Sequence, residues 1–147
     1  MTNKSIKLAA YYFCLSLALS PTWCRAELTG KDLLGDCEVK IHLEETKTKT
    51  PVDSTDAFRA GACTGYIKGF DDMEIIYASI IAGPSSNEKD VKKYSLYCLP
   101  VGASNSQMTK VVVNYIKSHP EELSDAASLA VGKALRDSFP CPKETPK

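Results

Sequence analysis

The sequence predicts an all-α fold: a small, disulfide-stabilised domain of four helices. Three observations predict it. Apolar residues recur every three or four positions along much of the chain, capping residues mark the starts of those runs, and four cysteines remain once an export leader is set aside.

The leader occupies residues 1–26. Met1–Lys7 carries Lys4 and Lys7 and no acid, and Leu8–Leu19 is an apolar run that Pro21 breaks. Cys24-Arg25-Ala26 then places small residues at the −3 and −1 positions before Glu27, the pattern of a secretory signal cleaved after Ala26. The apolar run falls short of the about 20 residues that a membrane-spanning helix needs. Trp23 before Cys24 argues against lipidation. Removal of Lys4, Lys7 and Arg25 leaves 15 bases against 18 acids in residues 27–147, a net charge of −3. Such a mixed, weakly acidic surface suits neither nucleic acid nor an anionic membrane face.

The first helix is expected from about Leu28 to Val39, with Thr29 as N-cap and Asp32 on the positive helix end. The polar segment Glu44–Asp53 has no apolar period and holds Pro51, so it reads as a linker. A second, long helix starts at Ser54 or Thr55 and runs to about Ile81, where Gly83-Pro84 ends it. Its stripe Phe58, Ala62, Tyr66, Phe70, Met73, Tyr77 and Ile80 is expected to face the core. Gly83–Gly102 reads as a long irregular connection, apolar in its second part. Ser104 and Gln107 form a capping box for the third helix, although β-branched Lys110–Val113 also fits a short strand. Pro120 followed by Glu121-Glu122 opens the fourth helix, which ends near Ser138. The domain therefore spans 27–142, and residues 143–147 read as a disordered tail.

Cys37, Cys63, Cys98 and Cys141 belong to the exported part, and an even count there reads as two disulfides. No CxxC pair is present, which disfavours zinc. Four cysteines allow three pairings. If the third and fourth helices lie antiparallel, Cys98 and Cys141 come together, and Cys37 is left for Cys63.

Gly61, Gly65 and Gly69 form a stripe on the long helix. Each costs roughly 0.8–1 kcal/mol relative to alanine in a helix interior. Tight packing within the subunit is one reading, with Ala126, Ala130 and Ala134 of the fourth helix as the facing small stripe. A seam between two copies of the long helix is another, and close approach of a ligand a third.

Chemistry is sparse. His42 lies in a charged segment and His119 at a helix boundary, neither beside a nucleophile motif. Asp71, Asp72 and Glu74 read as a solvated polar face rather than an acid/base pair. No catalytic, metal-binding or cofactor-binding residue is expected. The candidate for recognition is the polar tip Ser85, Ser86, Asn87, Glu88, Lys89, Asp90, Lys92 and Lys93, against the alternative of an ordinary solvated loop.

Five stretches carry a family resemblance: GKDLLGDC (Gly30–Cys37), CTGYIKGFDD (Cys63–Asp72), CLPVG (Cys98–Gly102), VVNYIKSHPEEL (Val112–Leu123) and FPC (Phe139–Cys141). Together, from Leu28 to Cys141, they resemble the Rap/Tai-type immunity proteins of bacterial type VI secretion. The resemblance implies a non-enzymatic periplasmic protein, often dimeric, that binds and blocks a cognate peptidoglycan amidase. It carries over no toxin-contacting residue. The alternative is a periplasmic structural or ligand-binding helical module without a toxin.

Overall fold

A computed structural model describes residues 27–46 and 51–142. The leader 1–26, part of the linker and the tail 143–147 lie outside the described residues. Five α-helices appear, and no strand among the described residues: α1 Gly30–Thr46, α2 Ser54–Ala82, α3 Glu88–Tyr94, α4 Asn105–Ser118 and α5 Ala127–Ser138. A 3-10 turn, Pro120–Glu122, joins α4 to α5.

The expected caps form. The Thr29 hydroxyl donates to Asp32 at 2.6 Å, and the Asp32 carboxylate also accepts the Thr29 N–H at 3.1 Å. The Thr29 hydroxyl and then its N–H hold the Asp32 carboxyl below the usual carboxylate range. α2 opens on Asp53, a residue expected in the linker, whose carboxylate accepts the Thr55 N–H at 3.0 Å, and Ser104 accepts the Gln107 N–H at 3.1 Å to open α4, the forward half of the expected box. The β-branched stretch is helical. Gly83 closes α2 with φ of +94°, a region that a Cβ disfavours.

Two boundaries differ from expectation for stated reasons. α1 continues past Val39 to Thr46 because its charges find partners. Lys40 pairs with Glu44, Glu44 accepts from the Ser106 hydroxyl at 2.7 Å, and Lys117 of α4 reaches Glu38 at 2.9 Å. At the other end, the helix expected from Pro120 stops after one turn. The carbonyls of Leu123 and Asp125 instead accept the Lys31 and Gly30 N–H groups, each at 2.9 Å. Thr29 and Ala126 form an isolated bridge there, and α5 starts afresh at Ala127. The start of α1 is thus clasped to the start of α5.

The core lies between α1, α2, α4 and α5. Leu33, Ile67, Val112, Val131 and Leu135 are its largest wholly buried aliphatic side chains. Cys37 pairs with Cys63, tying α1 to α2, and Cys98 pairs with Cys141, tying the segment before α4 to the end of α5. Bridges of these spans stabilise a fold by about 2–4 kcal/mol each in the loop-entropy picture.

The long helix differs from expectation in which side it buries. α2 turns Cys63, Ile67, Asp71, Glu74 and Ala78 inward. Of the expected core stripe, Tyr66 and Phe70 pack against the core from its edge. Phe58, Met73, Tyr77 and Ile80 are exposed, Phe58 at 75% and Ile80 at 72%. A period of three to four identifies an apolar face, yet α2 carries two of them, and the buried one is interrupted by acids.

Of the readings of the glycine stripe, packing within the subunit is corrected. A Cβ added at Gly61, Gly65 or Gly69 meets nothing within 4 Å. Ala130 and Ala134 are buried in the core and do not sit on that stripe. The close approach of α5 to α2 depends instead on Gly132, where an added Cβ would lie 3.2 Å from Cζ of Phe70.

A Gly132→Leu substitution should therefore overpack this contact and lower unfolding free energy by about 1–3 kcal/mol in a denaturant titration. An unchanged midpoint would contradict the packing. The two bridges should also differ in accessibility, since Cys37 and Cys63 are wholly buried while Cys98 and Cys141 are half-buried. Mild reduction followed by alkylation and mass spectrometry should label Cys98 and Cys141 first, and equal labelling of all four would contradict it.

Candidate functional site: the α3 tip

The segment Gly83–Leu99 carries the recognition residues expected from the sequence. It is not irregular. Asn87 caps α3, accepting the Lys89 N–H at 2.9 Å and the Asp90 N–H at 3.3 Å, and the Asp90 carboxylate accepts the Asn87 N–H at 3.0 Å. This is a reciprocal capping box built from Asn and Asp in place of the usual Ser/Thr and Glu/Gln. Acids fill the first turn and Lys92 and Lys93 the last, matching the helix dipole. Seven residues are too few to hold a helix alone in water. The rest of the support comes from below.

Two carboxylates of α2 supply it. Glu74, 8% exposed, accepts the backbone N–H of Leu96 at 2.6 Å. Asp71, 6% exposed, accepts the Tyr97 hydroxyl at 3.1 Å and the Lys68 ammonium at 2.9 Å. Burial, and then the Asp71 charge, push the Tyr97 phenol well above its ordinary range, so it stays a hydrogen-bond donor. These acids were expected on a solvated face. The structure buries them because the returning chain brings Tyr97 and an otherwise unpaired N–H over that side of α2. The Cys98 N–H donates to the Phe139 carbonyl at 2.8 Å, and the disulfide to Cys141 completes the attachment.

The eight expected recognition residues divide into two sets. Ser86, Asn87 and Asp90 build the tip itself: the Ser86 hydroxyl donates to the Gly83 carbonyl at 2.6 Å, and the other two form the cap. Ser85 is exposed on the turn. Glu88 pairs with Lys92 at 2.7 Å, one turn on, and that partner holds its carboxyl below the usual range. Lys89, Lys92 and Lys93 project into solvent, with the Lys93 ammonium 6.0 Å from the centre of the Tyr94 ring. The three lysines border an open groove of about 650 Å³ that continues along Ser95, the Cys98–Cys141 bridge and Pro142. The site thus offers cationic rims over an apolar floor, on a short helix fixed at its cap, by two carboxylates and by a disulfide.

The histidines stand apart from this site. His42 is exposed on α1, and His119 stacks on Tyr115 with ring centroids 4.1 Å apart. Among the described residues no group of three or more His, Cys, Asp and Glu side chains could hold a metal, and no helix is long and apolar enough to cross a membrane.

The curated proteins and the solved structures contain no match to the chain. The family model of Rap1a immunity proteins matches residues 29–141. That match runs from the α1 cap to the last disulfide cysteine and includes the α3 tip, so the chain belongs to the Rap1a immunity proteins.

Proposed function

We propose that this protein is exported to the periplasm by residues 1–26, binds a peptidoglycan amidase delivered by type VI secretion, and blocks it with the α3 tip. Membership of an immunity family supports toxin binding by a protein that is not itself an enzyme. The two disulfides suit an oxidising compartment outside the cytoplasm. The observation that carries the role of the tip is its mounting: a seven-residue helix held by Glu74, Asp71 and the Cys98–Cys141 bridge, with three lysines outermost. A pre-organised tip loses little conformational freedom on docking, which favours affinity. The lysines would meet acidic rims of an enzyme groove, speeding encounter and fixing orientation. In this reading the protein also acts as a pair of identical chains.

Capture from the periplasm of the native host, during active toxin secretion, should recover a cell-wall hydrolase in stoichiometric amount. Lys89→Ala, Lys92→Ala and Lys93→Ala combined should weaken that binding by roughly tenfold or more, mostly through a slower association rate that also loses its salt dependence. Glu74→Gln keeps the shape but weakens the acceptor for Leu96, and should raise the dissociation rate through a looser tip. Unchanged binding after alanine replacement throughout Ser85–Lys93 would contradict the assignment.

A further inference from the structure

The two disulfides sit in opposite surroundings. Cys37 and Cys63 are wholly buried, within the same core as Leu33 and Ile67. Cys98 and Cys141 are half-buried and form part of the wall of the open groove of about 650 Å³ beneath α3. Lys89, Lys92 and Lys93 line that groove, and among the described residues that line it there is no carboxylate. Lys92 shares its charge with Glu88, 2.7 Å away on the outer side of the helix. The accessible bridge therefore lies in a cationic cleft wide enough for another molecule to enter.

From this arrangement we infer that Cys98–Cys141 is a thiol–disulfide exchange site for a dithiol protein with an acidic surface around its thiols, and that opening the bridge loosens the α3 tip. A thiolate of the partner attacks one sulfur of the bridge, forming a mixed disulfide and freeing the other cysteine as a thiolate. The partner's second thiol then attacks the mixed disulfide and frees the second cysteine. The partner leaves as a disulfide, and Cys98 and Cys141 have gained two electrons and two protons. The effect on toxin binding rests on the reading of the tip as the blocking element; the exchange itself does not.

Three features support the site and its consequence. First, access separates the bridges. Exchange needs a thiolate in contact with a sulfur, and the Cys37–Cys63 sulfurs are shielded by the core. Second, the charge of the cleft suits the chemistry. The attacking and the leaving sulfur both carry negative charge, so nearby ammonium groups favour the exchange, and they draw an acidic partner towards the bridge. Third, the bridge is placed to govern the tip. The seven residues of α3 are too few to stand alone, and the segment after them is held by the Leu96 N–H on Glu74, the Tyr97 hydroxyl on Asp71 and the Cys98 N–H on the Phe139 carbonyl. The disulfide is the covalent part of that attachment, joining the segment to the end of α5. Opening it leaves hydrogen bonds alone. The core keeps its own bridge, so the loss falls on the tip.

The test uses the chain 27–147 with both disulfides formed. Two small dithiols serve as probes, anionic dihydrolipoate and neutral dithiothreitol, with opening followed by timed alkylation and mass spectrometry. Dihydrolipoate should open Cys98–Cys141 about tenfold or more faster than Cys37–Cys63. Its rate relative to dithiothreitol should fall roughly threefold or more in high salt, and equally in the combined variant Lys89→Gln, Lys92→Gln and Lys93→Gln. A ratio unchanged by both overturns the cationic site. The protein with only Cys98–Cys141 opened and alkylated should keep its helicity by circular dichroism, while amide exchange in residues 88–96 speeds up by roughly tenfold or more. Cys98→Ser combined with Cys141→Ser should reproduce this without any reductant. Unchanged exchange at the tip in both forms overturns the control of the tip, and so does loss of helicity throughout the chain, since the bridge would then hold the whole fold. A tip that loosens while the captured hydrolase binds as before overturns the blocking role proposed for it and leaves the exchange site standing.

Discussion

A 29-residue helix has a large surface, and four shorter helices cover only one side of it. That constraint organises the molecule. The covered side of α2 holds Cys63 and Ile67 in the core and, further along, Asp71 and Glu74 beneath the returning chain. The same helix therefore closes the hydrophobic core at one end and supports the α3 tip at the other. Its other side, among the described residues, stays apolar and uncovered.

The support of the tip shows how buried charge is used here. Carboxylates inside a fold are costly unless hydrogen-bonded. Glu74 and Asp71 each accept a donor from the segment after α3, so the cost of burial becomes a penalty for moving that segment. The Cys98–Cys141 bridge and the Cys98 N–H bond to Phe139 then hold the far end of the same segment on α5. A short helix that would melt alone is left with little freedom, which suits the blocking role proposed for it.

Much of this was legible in the sequence, and the parts that were not share a cause. The caps at Thr29 and Ser104, the extent of α2 and the all-helical class follow from local signals: side-chain oxygens beside backbone N–H groups, and a period near 3.6. The bridges followed from one step of topology, the antiparallel placing of the last two long helices. What local signals hide is which side of a helix is covered. Phe58, Met73 and Ile80 have the spacing of a core stripe and lie in solvent, while Asp71 and Glu74 have the chemistry of a surface and lie buried. Their burial is decided by Tyr97 and Leu96, more than twenty residues away. The helix within Gly83–Gly102 was hidden for a different reason: its capping box uses Asn87 and Asp90, a pair that reads as a turn when no apolar period follows. Of the tip residues, Lys89, Lys92 and Lys93 keep the expected exposure, and Ser86, Asn87 and Asp90 turn out to hold the scaffold.

The proposed function places the α3 tip against the toxin. Amide hydrogen exchange, compared between the free protein and its complex with the captured hydrolase, tests this most directly. The predicted result is added protection concentrated in residues 85–95. Protection confined to α1, α4 or α5, with the tip exchanging as in the free protein, would contradict it.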